Sequence, residues 1–351
     1  DHGRIRMLRQ GADTDMPPLR HPIVPLPAGV KGLYGDDLGT DFRDMNFEPD
    51  FPDVARMAAA LLRHDHHVRV DGVLAVDPVA LAHVLDGTGP VHVAFAGRRT
   101  TLTGANVVDV LLNRVYRTIP DGDLQNAFFE AAARAVFRGV THGGGDARAL
   151  TRGLATAAGR GRILVWSRHP SEQRALQGTP VSGALPDGSD GAPQVGVYLD
   201  DATATKMEYY LRLRSQVQAT GCTASGVQQL RSRVVLASAA PPDAARLSPY
   251  VTGPGTWAPR GSMRVNAWIY GPTHGEITGI RVDGRPVTVT ADRDRGRQVT
   301  GVQVLLRPGQ HVVVTSRMRS GPHQTADPVL SSTPTAQEQP NRVSAPSSCA
   351  G

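Results

Sequence analysis

The feature that most constrains the fold is a change of hydrophobic period near residue 190. Upstream, Val54, Met57, Ala58, Leu61 and Leu62 fall at i, i+3, i+4, i+7 and i+8, which is one apolar stripe of a helix. Leu124, Ala127, Phe128, Ala131, Ala135, Val136 and Val140 repeat the pattern. Downstream, residues 195–199, 207–217, 228–237, 263–270, 277–282, 299–306 and 311–317 read as strands, some parted by turn signals such as Asp283-Gly284 and Pro308-Gly309. Between the two textures, residues 178–193 are rich in Gly, Pro, Ser and Asp. A chain of 351 residues is long enough for two domains.

The first domain, residues 1–190, is expected to be α/β. Asp50, Asp77 and Asp146 stand where helix N-caps belong, with Pro52 and Pro78 in the first turns. Strands are expected at 69–76, 91–93 and 162–166, and the apolar run Val73-Leu-Ala-Val76 suits a buried central strand. Alternating strands and helices predict a layered α/β domain. Residues 1–30 are loop-like, broken by five prolines from Pro17 to Pro27. Gly143-Gly-Gly145 reads as a helix stop, because it lacks the strand and lysine of a phosphate loop. The second domain, residues 194–320, reads as a β-sandwich. Residues 321–351 form a Ser/Pro/Gln-rich tail.

Cys222 and Cys349 are the two cysteines, with no CxxC partner and no adjacent histidine. That argues against zinc. One disulfide tying the tail back is the expectation, with two buried thiols as the alternative. Closing so long a loop contributes roughly 4–5 kcal/mol in the chain-entropy account and implies an oxidising compartment.

The net charge is +6, and Lys31 and Lys206 are the only lysines among 38 basic residues. The arginines are scattered among aspartates with no long basic block and no interleaved aromatics, which argues against nucleic-acid binding. No run approaches the ~20 apolar residues of a membrane span. GxSxG, HExxH and CxxC are all missing from the sequence.

The segment Tyr34-Gly-Asp-Asp-Leu-Gly-Thr-Asp-Phe-Arg-Asp-Met-Asn-Phe-Glu-Pro-Asp-Phe-Pro52 is distinctive, as are Val70-Asp-Gly-Val-Leu-Ala-Val-Asp-Pro-Val79 and Thr88-Gly-Pro-Val91. With Ala127-Phe-Phe-Glu130, Ile163-Leu-Val-Trp-Ser167, Val195-Gly-Val-Tyr198 and Tyr270-Gly-Pro272, they resemble the domain of unknown function 4012. That family occurs in envelope proteins of actinobacteria and other bacteria. The resemblance implies an extracytoplasmic, cell-envelope protein without an assigned activity. Residue 1 is Asp, and the resemblance implies a membrane anchor and the first strands of the domain upstream of it.

More weakly, an Asn46-bearing loop, a helix, a strand over 70–76, an Asp-Pro helix and Thr88-Gly-Pro-Val91 resemble the LytR-CpsA-Psr phosphotransferases. Those enzymes transfer glycopolymer from a polyprenyl-pyrophosphate carrier using Arg, Asp and magnesium. Asp41, Arg43, Asp44, Asn46, Asp50 and Asp53 are therefore the candidate ligand- or phosphate-binding residues. Arg43 has the forked donors that suit pyrophosphate. Asp41 or Asp44 would serve magnesium if the phosphotransferase reading holds, and no other cofactor or metal is expected. The alternative is structural, with Asp50 and Asp53 serving the helix start and Arg43 pairing with Asp41 or Asp44.

Three further features bear on function. Two of Asp41, Asp44 and Asp50 could flank a sugar bond. His64, His66 and His67 could hold a metal or fray into solvent at a helix end. Trp257, in a Gly-rich loop, could stack on a sugar, whereas Trp166 and Trp268 read as core. The expected partners are cell-wall glycan, a lipid-linked glycan precursor or other proteins.

Overall fold

Three aspartates start three helices as their sequence positions require. In the computed structural model, which describes residues 5–142, 145–337 and 341–349, the Asp50 carboxylate accepts from the Asp53 N–H (3.2 Å). Asp77 accepts from Ala80 (2.7 Å) and Asp146 from Arg148 (2.8 Å). Each carboxylate satisfies an N–H that the helix itself leaves open.

The helices are α1 (Ala28–Tyr34), α2 (Asp37–Thr40), α3 (Phe51–His66), α4 (Pro78–Thr88), α5 (Val107–Asp109), α6 (Val115–Thr118), α7 (Gly122–His142), α8 (Ala147–Gly159), α9 (Pro170–Leu176) and α10 (Pro249–Thr252). A π turn, Val110–Arg114, joins α5 to α6. Gly143 and Gly144, read as a helix stop, lie outside the described residues. The fold is mixed α/β, and the chain divides into two compact units.

The first unit comprises Asp1–Ile23, Thr40–Asn46 and Asp50–Ala184. Strand β1 (Gly72–Val76) and strand β4 (Ile163–Ser167) pair antiparallel, as do β2 (Val91–Phe95) and β3 (Arg98–Leu102). The core gathers Leu85, Val93, Leu102, Val107, Phe128 and Val136, so α4, α5 and α7 close over the second ribbon. The expected buried central strand is not formed. Leu74 is 63% exposed and Val76 43%, because β1 has one partner strand and α3 packs against the β1–β4 ribbon.

The second unit comprises Val24–Gly39, Phe47–Pro49 and Leu185–Gly351. Its strands are β5 (Gln194–Asp201), β6 (Leu211–Cys222), β7 (Gln228–Ser238), β8 (Met263–Thr273), β9 (Glu276–Val282), β10 (Arg285–Pro286), β11 (Thr290–Asp294), β12 (Arg297–Leu306), β13 (His311–Arg319), β14 (Val329–Ser332) and β15 (Arg342–Ala345). They form a six-stranded sheet, β10-β9-β13-β7-β6-β15, and a five-stranded sheet, β11-β12-β8-β5-β14. Alternate residues of β6 and β7 are buried, as a half-buried antiparallel sheet requires. Residues 207–210, read as the start of a strand, form a 3-10 turn before β6.

The tail is more than a surface strap. β14 adds to β5 and β15 to β6, both parallel. Cys222 and Cys349 form the expected disulfide, Cα atoms 5.1 Å apart across 127 residues. Trp166 and Trp268 are core residues, 8% and 7% exposed. The Trp268 ring lies over Gly301, where a Cβ would stand 2.4 Å from it. Among the described residues, no helix is long and apolar enough to cross a membrane.

Candidate functional site

The segment that joins the candidate residues is a tight acidic turn followed by a capped helix. Asp41 accepts three hydrogen bonds from Arg43: the backbone N–H (2.9 Å), Nε (2.9 Å) and Nη2 (2.5 Å). The forked pair holds the Asp41 carboxyl below the usual carboxylate range, its hydrogen bonds to Arg43 outweighing partial burial. It raises the Arg43 pKa for the same reason. The Asp44 N–H donates to the Asp41 carbonyl (3.1 Å), and Asn46 is exposed. Asp50 caps α3, and Asp53 pairs with Arg56 one turn on. Asp41 and Arg43 are thus brought together, while Asp50 and Asp53 serve the helix start. A phosphate at this turn would meet an Arg43 whose Nε and Nη2 are already engaged by Asp41.

The histidines at the end of α3 are also engaged. His64 Nδ1 contacts Asp65 (2.6 Å) and His66 Nδ1 contacts Arg9 (3.3 Å). His67, at φ 55°, turns the chain out of the helix. Among the described residues, no group of three or more His, Cys, Asp or Glu side chains is placed to hold a metal.

A concave site lies in the second unit. A cavity of about 640 Å³ is lined by His274, Glu276, Asp292, Arg293, Gln298 and Arg319, among others. These come from the β8–β9 corner, β11, β12 and the end of β13. Arg319 pairs with Glu276 (3.3 Å). Gln298 accepts from the Ile277 N–H (2.8 Å), which leaves its amide NH₂ as a donor. The Arg293 guanidinium makes no hydrogen bond or ion pair among the described residues, while its backbone N–H donates to Asp292 (2.7 Å). His274 sits at φ 56°, a left-handed conformation uncommon outside glycine. Its N–H donates to the Gly296 carbonyl (2.9 Å), which fixes the corner. The wall therefore offers donors and acceptors of both signs on flat, forked groups.

Sequence reading did not find this cavity, because its residues sit at strand ends far apart in the chain. The Thr273-His-Gly-Glu276 corner is the one local signal. A third feature is the loop after α10. Trp257 is 62% exposed and Tyr250 45%. The loop is held by Arg260, which donates to Thr252 Oγ1 (3.1 Å) and the Leu247 carbonyl (2.7 Å).

The fold and these sites define a mixed α/β protein whose second unit carries two β-sheets, a disulfide and a polar cavity. Residues 1–116 match the model of a family described as protein of unknown function, DUF4012. No curated protein matches the chain. Among solved structures, a putative nutrient binding protein from Legionella pneumophila is 5% identical, with a TM-score of 0.25 over 37% of this chain and 44% of that one. An M1 zinc metallopeptidase from Deinococcus radiodurans is 8% identical, with a TM-score of 0.16 over 37% of this chain and 20% of its own. The chain therefore spans less than half the length of either structure.

Proposed function

We propose that this is an extracytoplasmic cell-envelope protein whose β-sandwich unit binds glycan in the cavity between the β8–β9 corner and β11. The observation that carries this reading is the cavity wall. His274, Glu276, Asp292, Arg293, Gln298 and Arg319 line about 640 Å³, a volume within the range of ligand pockets. Sugar hydroxyls both donate and accept, so a wall with fixed donors and acceptors on planar groups suits them. A non-glycine residue held in the left-handed region at the cavity edge is the sort of local strain that gathers at binding sites. The disulfide supports an oxidising location.

The test is calorimetric titration of the whole chain with soluble cell-wall glycan fragments, beside Arg293→Ala and Trp257→Ala. The expected result is saturable binding, weakened at least tenfold by Arg293→Ala and unchanged by Trp257→Ala. Loss in Trp257→Ala alone would move glycan contact to the loop after α10 and overturn the cavity assignment. No binding by the folded chain would overturn glycan recognition.

A further inference from the structure

One face of the six-stranded sheet concentrates arginine. Register places Arg231 of β7 directly opposite Arg317 of β13, and Arg233 opposite Thr315, which in turn faces Arg281 of β9. On the other side of β7, Arg233 faces Gln216 of β6, which faces Arg342 of β15. All five arginines are exposed. Their strand neighbours Leu230, Ser232, Val234, Ser316 and Met318 point to the buried side. Glu276 is the one acidic residue on these strands, and it already pairs with Arg319. Among the described residues, the side chains of Arg231, Arg233 and Arg317 make no ion pair or hydrogen bond.

Like charges directly opposite on neighbouring strands destabilise a sheet. Arg231 and Arg317 carry that cost with no carboxylate to offset it. Strand geometry sets the spacing: guanidinium groups recur at roughly 6–7 Å along a strand and about 4.8 Å across it. A flat lattice of forked donors at that spacing suits phosphate oxygens, which guanidinium groups engage in pairs.

We propose that this face binds a linear polymer carrying repeated phosphodiester groups, of the kind a phosphate-bearing cell-surface glycopolymer presents. Charge complementarity sets the class of partner. The choice within it follows from what the face lacks and where the disulfide can persist. Strands β6, β7, β9 and β13 carry no Phe, Tyr or Trp. Stacking platforms for single-stranded nucleic acid and aromatic anchors for a bilayer surface are therefore missing from these strands. The Cys222–Cys349 bond belongs to an oxidising compartment, where a phosphodiester partner is a surface polymer rather than intracellular nucleic acid. This assignment does not rest on the glycan cavity.

The experiment is equilibrium binding of the whole chain to soluble poly(glycerol phosphate) across a salt series. Parallel arms use neutral dextran, vesicles of anionic phospholipid and single-stranded DNA at matched phosphate. The expected result is binding to poly(glycerol phosphate) that weakens steeply with salt, and none to dextran. Arg231→Gln with Arg317→Gln should weaken it at least tenfold and lower the log–log salt slope by roughly 1–2, with the melting temperature held or raised. Arg233→Gln with Arg281→Gln, in a separate chain, should act likewise, and Arg293→Ala should not. No binding to the polymer, binding by both double variants as tight as that of the unsubstituted chain, or tighter binding to vesicles or DNA would each overturn the proposal.

Discussion

The hydroxyls of Tyr34 and Tyr270 lie 3.0 Å apart, joining α1 to the middle of β8. Tyr270 is fully buried, and burial holds both phenols above the ordinary tyrosine range. Tyr34 also packs its ring 4.9 Å from that of Trp268. Tyr34→Phe leaves a buried hydroxyl with one partner fewer and should cost about 1 kcal/mol. Tyr34→Ala also removes the ring contact and should cost about 3 kcal/mol. Urea unfolding of both variants checks the order. Equal losses would mean that the hydroxyl contact contributes nothing.

The disulfide should matter through the tail. Cys222 ends β6, and Cys349 follows β15, which pairs with β6. Opening the bond frees a loop of 127 residues in the unfolded chain, and Cys349→Ser with Cys222→Ser should cost about 2–5 kcal/mol. Hydrogen exchange should rise first in β14 and β15, the strands the tail contributes. Unchanged protection there would show that strand pairing alone holds the tail.

The Asp41–Arg43 pair separates two readings of the acidic turn. The Arg43 side chain is 55% exposed, so the ion pair should contribute under about 1 kcal/mol. The Asp41 native pKa is lowered by Arg43. Its contribution is therefore full above about pH 4 and fades as pH falls through the lowered native value. Arg43→Ala should accordingly change stability little at pH 7 and flatten the acid limb. If Arg43 instead serves a lipid-linked pyrophosphate, Arg43→Ala should abolish magnesium-dependent binding of a short polyprenyl pyrophosphate. Binding that survives the substitution would end the phosphotransferase reading.

What could be read in the sequence was local. The caps Asp50, Asp77 and Asp146 depend on residues within three positions, and the seven strands past residue 190 carry their own pattern. Helix α1 escaped notice because Gly29 and Gly32 depress helix propensity. Only the folded structure shows why they are there: a Cβ on Gly29 would sit on the Arg293 carbonyl of β11. β11 itself, Thr-Ala-Asp-Arg-Asp, has little strand character, and pairing with β12 supplies it. The arginines looked scattered for a similar reason. Arg231 and Arg317 are 86 positions apart in number, and only the β7–β13 register makes them neighbours.

Asp201 and Glu208 form a carboxyl pair, and protonation of Glu208 should give the second unit a pH dependence. Asp201 accepts from the N–H groups of Thr203 and Thr205, each at 3.0 Å. Glu208 accepts from Thr205 Oγ1 (3.1 Å). Burial first, then the Asp201 charge, pushes the Glu208 carboxyl up to about 8. An unfolded glutamate titrates near 4.3. Between those values the native state holds a proton that the unfolded chain has released. Stability is then highest below about pH 4 as far as this group is concerned, and it falls as pH rises toward 8. The full swing amounts to at most about 5 kcal/mol. Glu208→Gln keeps a neutral side chain at every pH, so it should remove the slope and make the variant the more stable of the two at pH 8. Urea unfolding at pH 5 and pH 8 measures it. A slope of the same size in Glu208→Gln would assign the proton uptake to another group.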